Sequence, residues 1–85
     1  MAKNITIYTT PICPYCVRAK QLLTKKGVAF EEIDVFMDAD KRAEMEEKSG
    51  RYTVPQVFVD ETPIGGCAEL YALERRGELD PLLNG

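Results

Sequence analysis

Residues 5–27 read ITIYTTPICPYCVRAKQLLTKKG, and how this stretch divides decides the fold. Ile5, Ile7 and the neighbouring Tyr8 and threonines form a short β-prone run, which Pro11 and Pro14 close. From Pro14 to Lys26 most residues are good helix formers, and Gly27 stands where a left-handed C-terminal cap belongs. A strand therefore turns into a helix, with Cys13 and Cys16 at the junction. Cys13 falls at the helix N-cap, and Pro14 follows in the first turn, where its missing N–H costs nothing. The unpaired amides and positive end of the helix dipole favour a thiolate there, and Arg18 and Lys20 add to the field. Cys16, Ala19 and Leu23 follow an i, i+3, i+7 pattern that turns Cys16 inward with the apolar stripe. One cysteine is presented and the other is tucked behind it.

Other uses of the pair fit less well. A structural zinc site usually takes four Cys or His ligands, whereas this chain has no histidine and one further cysteine, Cys67. A staple across so short a loop removes little unfolded-chain entropy. Two inert buried thiols remain an alternative. In its strand–turn–helix setting, however, the spacing points to a redox pair.

Working outward, FEEIDVF, residues 30–36, alternates apolar and acidic residues as a second strand does. Asp38 and Asp40 open a second helix, and Lys48 and Gly50 close it, with charges that suit its dipole. The apolar face of that helix is thin: Ala39, Ala43 and Met45. VFVD, residues 57–60, reads as a buried strand, and a short return strand begins at Ile64. A third helix runs from about Cys67 to Arg76, Gly77 stops it, and Leu82-Leu83 pack a final turn. The first βαβ unit demands a parallel pair, and the short turn after Asp60 demands an antiparallel one. The expected fold is α/β: a small mixed four-stranded sheet flanked by three main helices, in the order β-α-β-α-β-β-α.

The bulk numbers agree with one domain over residues 1–85. Of the 85 residues, 45% are hydrophobic and 29% charged, an ordinary globular balance. No apolar run approaches the roughly 18 residues a membrane span needs, and the N-terminus lacks a signal-peptide pattern. Three cysteines do not make a secreted disulfide framework, so a soluble protein of the reducing cytoplasm is expected. The net charge of −3 divides unevenly: residues 1–30 carry +5 and no acid, and the rest of the chain carries −8. So few basic residues, spread over one helix, do not suggest nucleic-acid binding; the basic half is either a solvated face or a meeting place for small anions.

Two later stretches stand out. In RYTVPQ, residues 51–56, a proline enters a strand whose ladder it cannot join. Either it is a plain trans proline at a strand start, or a cis Val54–Pro55 bond leaves the preceding backbone facing a ligand, so that an extended peptide pairs with Val54. Gly65-Gly66 before a helix permits close backbone approach, and amides there can hold a carboxylate. Cys67 by itself reads as a small core residue or an incidental thiol.

Together, Cys13-Pro14-Tyr15-Cys16, Thr53-Val54-Pro55 and Gly65-Gly66-Cys67 resemble the bacterial dithiol glutaredoxins of the small glutaredoxin 3 type, from about Ile5 to Leu83. The resemblance implies a thioredoxin fold and a glutathione-dependent enzyme that reduces protein–glutathione mixed disulfides and protein disulfides, including that of ribonucleotide reductase. It implies Cys13 as nucleophile and Cys16 as resolving cysteine. Tyr15 would flank the glutathione sulfur, Val54, after Thr53 and before a cis Pro55, would pair with the cysteinyl backbone, and Gly66, Cys67 and Glu69 would hold the γ-glutamyl end. Glutathione would be a cosubstrate, with no metal and no tightly bound cofactor. A monomer is the expected state, with neither nucleic acid nor membrane as partner.

Two departures from the family pattern concern glutathione. Many relatives carry a lysine where this chain has Thr10, and Arg42, with Lys20, is the candidate replacement. Ala68 and Glu69 stand where two polar or acidic residues, commonly aspartates, are usual, so a weaker hold on glutathione is expected. The competing functions are a thioredoxin-like hydrogen donor fed by a flavoprotein reductase, and an iron–sulfur-binding dimer, against which Pro14 counts.

Overall fold

The computed structural model describes residues 3–84; Met1, Ala2 and Gly85 of the expected 1–85 domain lie outside them. Eight elements follow one another: β1 (Ile5–Thr9), α1 (Pro14–Lys25), β2 (Glu31–Asp34), α2 (Ala39–Ser49), β3 (Gln56–Val59), β4 (Thr62–Gly65), α3 (Cys67–Arg75) and α4 (Leu79–Asn84). The strands form one mixed sheet in the order β2-β1-β3-β4. β1 runs parallel to β2 and antiparallel to β3, and β3 is antiparallel to β4.

The period-two pattern of the strands separates two cores. Ile5, Ile7, Val57 and Val59 face one side, where Ala19, Leu22 and Leu23 of α1, Cys67 and Leu70 of α3, and Leu79 and Leu83 of α4 pack on them. Tyr8 and Phe58 face the other side and pack edge to face, at 5.5 Å between ring centres, with Val35, just after β2, and Met45 of α2. The thin apolar face read for α2 accordingly supplies one buried residue, Met45. Asp38 caps that helix by accepting the Lys41 N–H at 3.0 Å, and Gly50 closes it at φ +72°.

Three expectations change, the first being that the return strand β4 begins at Thr62 rather than at Ile64, because Thr62 and Pro63 already pair with Val59 and Phe58. The second strand ends at Asp34 rather than at residue 36, because the Asp34 carboxylate accepts the Phe36 N–H at 2.8 Å and turns the chain. The final turn around Leu82-Leu83 is a helix, α4, which buries Leu79 and Leu83 one turn apart. Lys26 fastens it: its ammonium reaches Glu74 at 2.6 Å and Asp80 at 3.0 Å, joining the ends of α1 and α3 to α4.

Sheet register brings the three sequence motifs to one end of the molecule. Tyr8 pairs with Gln56, and Val57 with Gly65. The exit of β1, the entry of β3 and the exit of β4 therefore lie side by side.

Candidate active site

Cys13 is the N-cap of α1, with extended backbone at φ −147° and ψ 105°, and its sulfur accepts the Cys16 N–H at 3.3 Å. A sulfur in this position takes up an amide that the helix leaves unpaired. All three cysteines are free thiols; Cys13 is half-buried, whereas Cys16 and Cys67 are buried. Burial, then the hydrogen bond with Cys13, pushes the Cys16 thiol up to about 12, although a backbone hydrogen bond from Thr10 opposes this. The two sulfurs thus differ in access, and Cys16 stays protonated at neutral pH.

The Cys13 sulfur lies 4.0 Å from the Val54 carbonyl oxygen, across the sheet end. The Val54–Pro55 bond is cis. The preceding turn is held from below by Gln56, a fully buried side chain whose amide donates to the Thr53 carbonyl at 2.9 Å and to the Thr53 hydroxyl at 3.2 Å. A groove runs from here between Thr53, Val54 and Pro55 on one bank and Gly66, Cys67 and Glu69 on the other, with Tyr15 at its head. It has a volume of 290 Å³. Ala68 and Arg51 complete its walls.

The far bank needs its glycines. A Cβ on Gly66 would stand 3.0 Å from the Pro55 carbonyl oxygen, and one on Gly65, at φ +115°, would meet the Glu69 side chain at 2.8 Å. Glu69 reaches back to the helix start, where its Oε1 accepts the Gly66 N–H at 2.7 Å and the Arg51 guanidinium at 3.0 Å. The Arg51 hydrogen bond first, then the Gly66 amide, hold the Glu69 carboxyl below its ordinary range.

The sequence matches the family described as Glutaredoxin over residues 5–64. The chain belongs to the glutaredoxin family. Glutaredoxin 3 of Escherichia coli (strain K12) is 59% identical over 80 residues, covering 94% of this chain and 96% of that one. The solution structure of glutaredoxin from Brucella melitensis superposes with a TM-score of 0.86 at 53% identity, over 98% of this chain and 90% of that one. The crystal structure of a buckwheat glutaredoxin–glutathione complex superposes with a TM-score of 0.86 at 30% identity, over 95% of this chain and 76% of that one. As a glutaredoxin, the protein is a glutathione-dependent thiol–disulfide oxidoreductase of the thioredoxin fold.

In this glutaredoxin the groove brings Tyr15, Thr53, Val54, Pro55, Gly66, Cys67 and Glu69 together beside Cys13. Arg42 is not on its walls: its guanidinium donates to the Tyr52 carbonyl at 3.3 Å and lies 3.6 Å from Glu46 within α2. Lys20 is engaged by Glu32 at 2.9 Å, an oxygen it shares with the Thr9 hydroxyl. Arg51 is the groove residue that sequence reasoning passed over. Its partner Glu69 is eighteen positions away, and no periodicity links them. The available signal was a cation four residues before Pro55, in a stretch already marked as unusual. Cys67 serves twice, with its thiol in the core and its backbone at the groove.

Proposed function

We propose that this glutaredoxin removes glutathione from protein mixed disulfides and reduces protein disulfides through the Cys13–Cys16 pair, ribonucleotide reductase being a candidate substrate of the second kind. The observation that carries this reading is the asymmetry of the pair: an accessible sulfur at a helix N-cap beside a groove, backed by a buried thiol held protonated. Cys13 thiolate attacks the glutathione sulfur of a mixed disulfide. The protein leaves as a thiolate, and Cys13 and glutathione share the new disulfide. A second glutathione thiolate attacks the glutathione sulfur of that bond, releasing oxidised glutathione and restoring Cys13.

In the dithiol route Cys13 attacks a protein disulfide, and Cys16 displaces the protein. Once the Cys13 sulfur is bonded it carries no charge and accepts less, so two of the causes that hold Cys16 protonated weaken. Attack by the first cysteine therefore readies the second.

In the groove, the Val54 backbone pairs with the cysteinyl residue of glutathione, Tyr15 covers its sulfur, and Thr53 and Pro55 shape the bank. The backbone at Gly66 and Cys67 lines the γ-glutamyl end, where the Cys67 amide takes the carboxylate while the Gly66 amide stays with Glu69. Glu69 engages Gly66 and Arg51 through Oε1, which leaves Oε2 for the α-ammonium. Arg42 would reach the glycine carboxylate only by leaving the Tyr52 carbonyl. The protein works as a cytoplasmic monomer, a single domain over residues 1–85, with glutathione as cosubstrate, no resident cofactor, and neither membrane nor nucleic acid as partner.

The test is deglutathionylation of a small mixed disulfide by Cys16→Ser, with glutathione as the sole reductant. Retained turnover, with reduction of protein disulfides lost, is the expected result. If the native protein fails with glutathione yet works with a thioredoxin-type reductase, a flavoprotein-fed donor replaces this reading.

A further inference from the structure

A second opening adjoins the groove. Tyr15, Cys67 and Ala68 border both, but the second turns the other way, between α1 and α3, towards Arg18, Tyr71 and Arg75. It is the larger of the two, with a volume of 610 Å³. The Tyr71 hydroxyl donates to the Arg18 carbonyl at 3.2 Å and ties the two helices together across it. No acidic side chain lines this cleft. The groove's cation, Arg51, is neutralised by Glu69, whereas the ion pairs among the described residues engage neither Arg18 nor Arg75.

A mixed disulfide has two halves that diverge from its sulfurs, and this surface has two channels that diverge from Tyr15. We propose that the α1–α3 cleft docks an acidic segment of the polypeptide substrate while the Thr53–Glu69 groove holds glutathione. The inference rests on the deglutathionylation reading and adds to it a substrate class. Two unneutralised guanidiniums beside a tyrosine ring match carboxylates of an extended chain, and planar guanidinium suits carboxylate geometry. Helix rise sets the register. Arg75 lies seven residues along α3 from Ala68, roughly 10 Å at 1.5 Å per residue. An extended chain covers that distance in about three residues. The acidic residues therefore belong about three or four positions from the target cysteine.

The experiment compares two glutathionylated peptides that carry two aspartates or two lysines three and four residues to either side of the cysteine. A small neutral mixed disulfide of glutathione serves as the control. At low ionic strength the native protein should favour the acidic peptide by about fivefold in kcat/KM, a preference that fades with salt. Arg75→Glu should abolish or invert the ratio and leave the small substrate unchanged. Arg18→Gln should reduce the ratio, which cancels any change it causes in Cys13 reactivity. Equal rates for both peptides in the native protein, or a preference that survives Arg75→Glu, overturn the proposal. So does a rise in the KM for glutathione in Arg75→Glu that affects both peptides alike, because the cleft would then serve glutathione itself. Failure of all three substrates would remove the deglutathionylation reading, and this docking surface with it.

Discussion

The two faces of the sheet differ in substance and in what they hold. On the α1–α3–α4 face, eleven buried residues form a continuous core that includes Cys67, and Cys16 is buried in the helix that packs there. On the α2 face the buried cluster is Tyr8, Val35, Met45 and Phe58, with Val54 and Ile33 packed against it. The first face therefore carries the paired cysteines and the α3 bank of the groove, and the second carries the Val54 backbone of the opposite bank. Cys13 and Val54 meet across the end of the sheet, 4.0 Å apart from sulfur to carbonyl oxygen. A disturbance on one face should strike the chemistry, and a disturbance on the other should strike glutathione binding.

The largest expected effect comes from cutting into each core in turn. Leu23 and Met45 are both fully buried. Leu23→Ala should cost about 3–5 kcal/mol and Met45→Ala about 2–3 kcal/mol, because the smaller cluster beside a partly exposed helix can collapse around the gap more easily. Urea unfolding measures both. Among molecules still folded, Met45→Ala should raise the KM for glutathione, and Leu23→Ala should slow the thiol step instead. The reverse pattern would break the division of labour.

A smaller effect belongs to the buried Cys16 thiol. Cys16 has its pKa raised from 9.0 to about 12 by burial first and then by its bond to Cys13. The unfolded chain therefore ionises this thiol at a lower pH than the native one does. Its contribution to stability is fully present below about pH 9 and is lost as pH rises from there towards about 12. The stability difference between the native protein and Cys16→Ala should shrink across that window, which denaturation series at successive pH values will show. An unchanged difference would mean that Cys16 is less shielded than its packing indicates.

The smallest effect belongs to the α2 face. The Tyr8 hydroxyl donates to Glu44 at 2.7 Å, and burial together with that carboxylate pushes the phenol well above its ordinary value. Tyr8→Phe should cost about 1 kcal/mol, because Glu44 is half-exposed and can turn to water. Turnover of the small mixed disulfide should stay within about twofold of the native value, since about 1 kcal/mol of local stability still leaves the groove formed. A greater loss would show that this bond positions the Val54 segment.

Much of the fold was legible because its determinants are local. The strand–turn–helix around Cys13, the Asp38 cap, the Gly50 and Gly27 stops and the inward turn of Cys16 all follow from residues within about two turns of one another. The α4 helix was less legible, because a six-residue segment has little propensity of its own. Its helicity comes from seating Leu79 and Leu83 on the core and from the Lys26 bridges.

By itself, then, the sequence determined the family and the order of elements through α3, and it marked Cys13 and Cys16 as the candidate pair. Tertiary structure decided which charges stay free. Lys20 and Arg42 were candidates for the glutathione carboxylate, yet the fold gives Lys20 to Glu32 and ties Arg42 to the Tyr52 carbonyl. Arg51 is brought to Glu69, while Arg18 and Arg75 come together across one cleft. The physical reason is range. Caps and periodicity act along the chain over a few residues, whereas the partner of a surface charge depends on sheet register and helix packing between segments far apart in sequence.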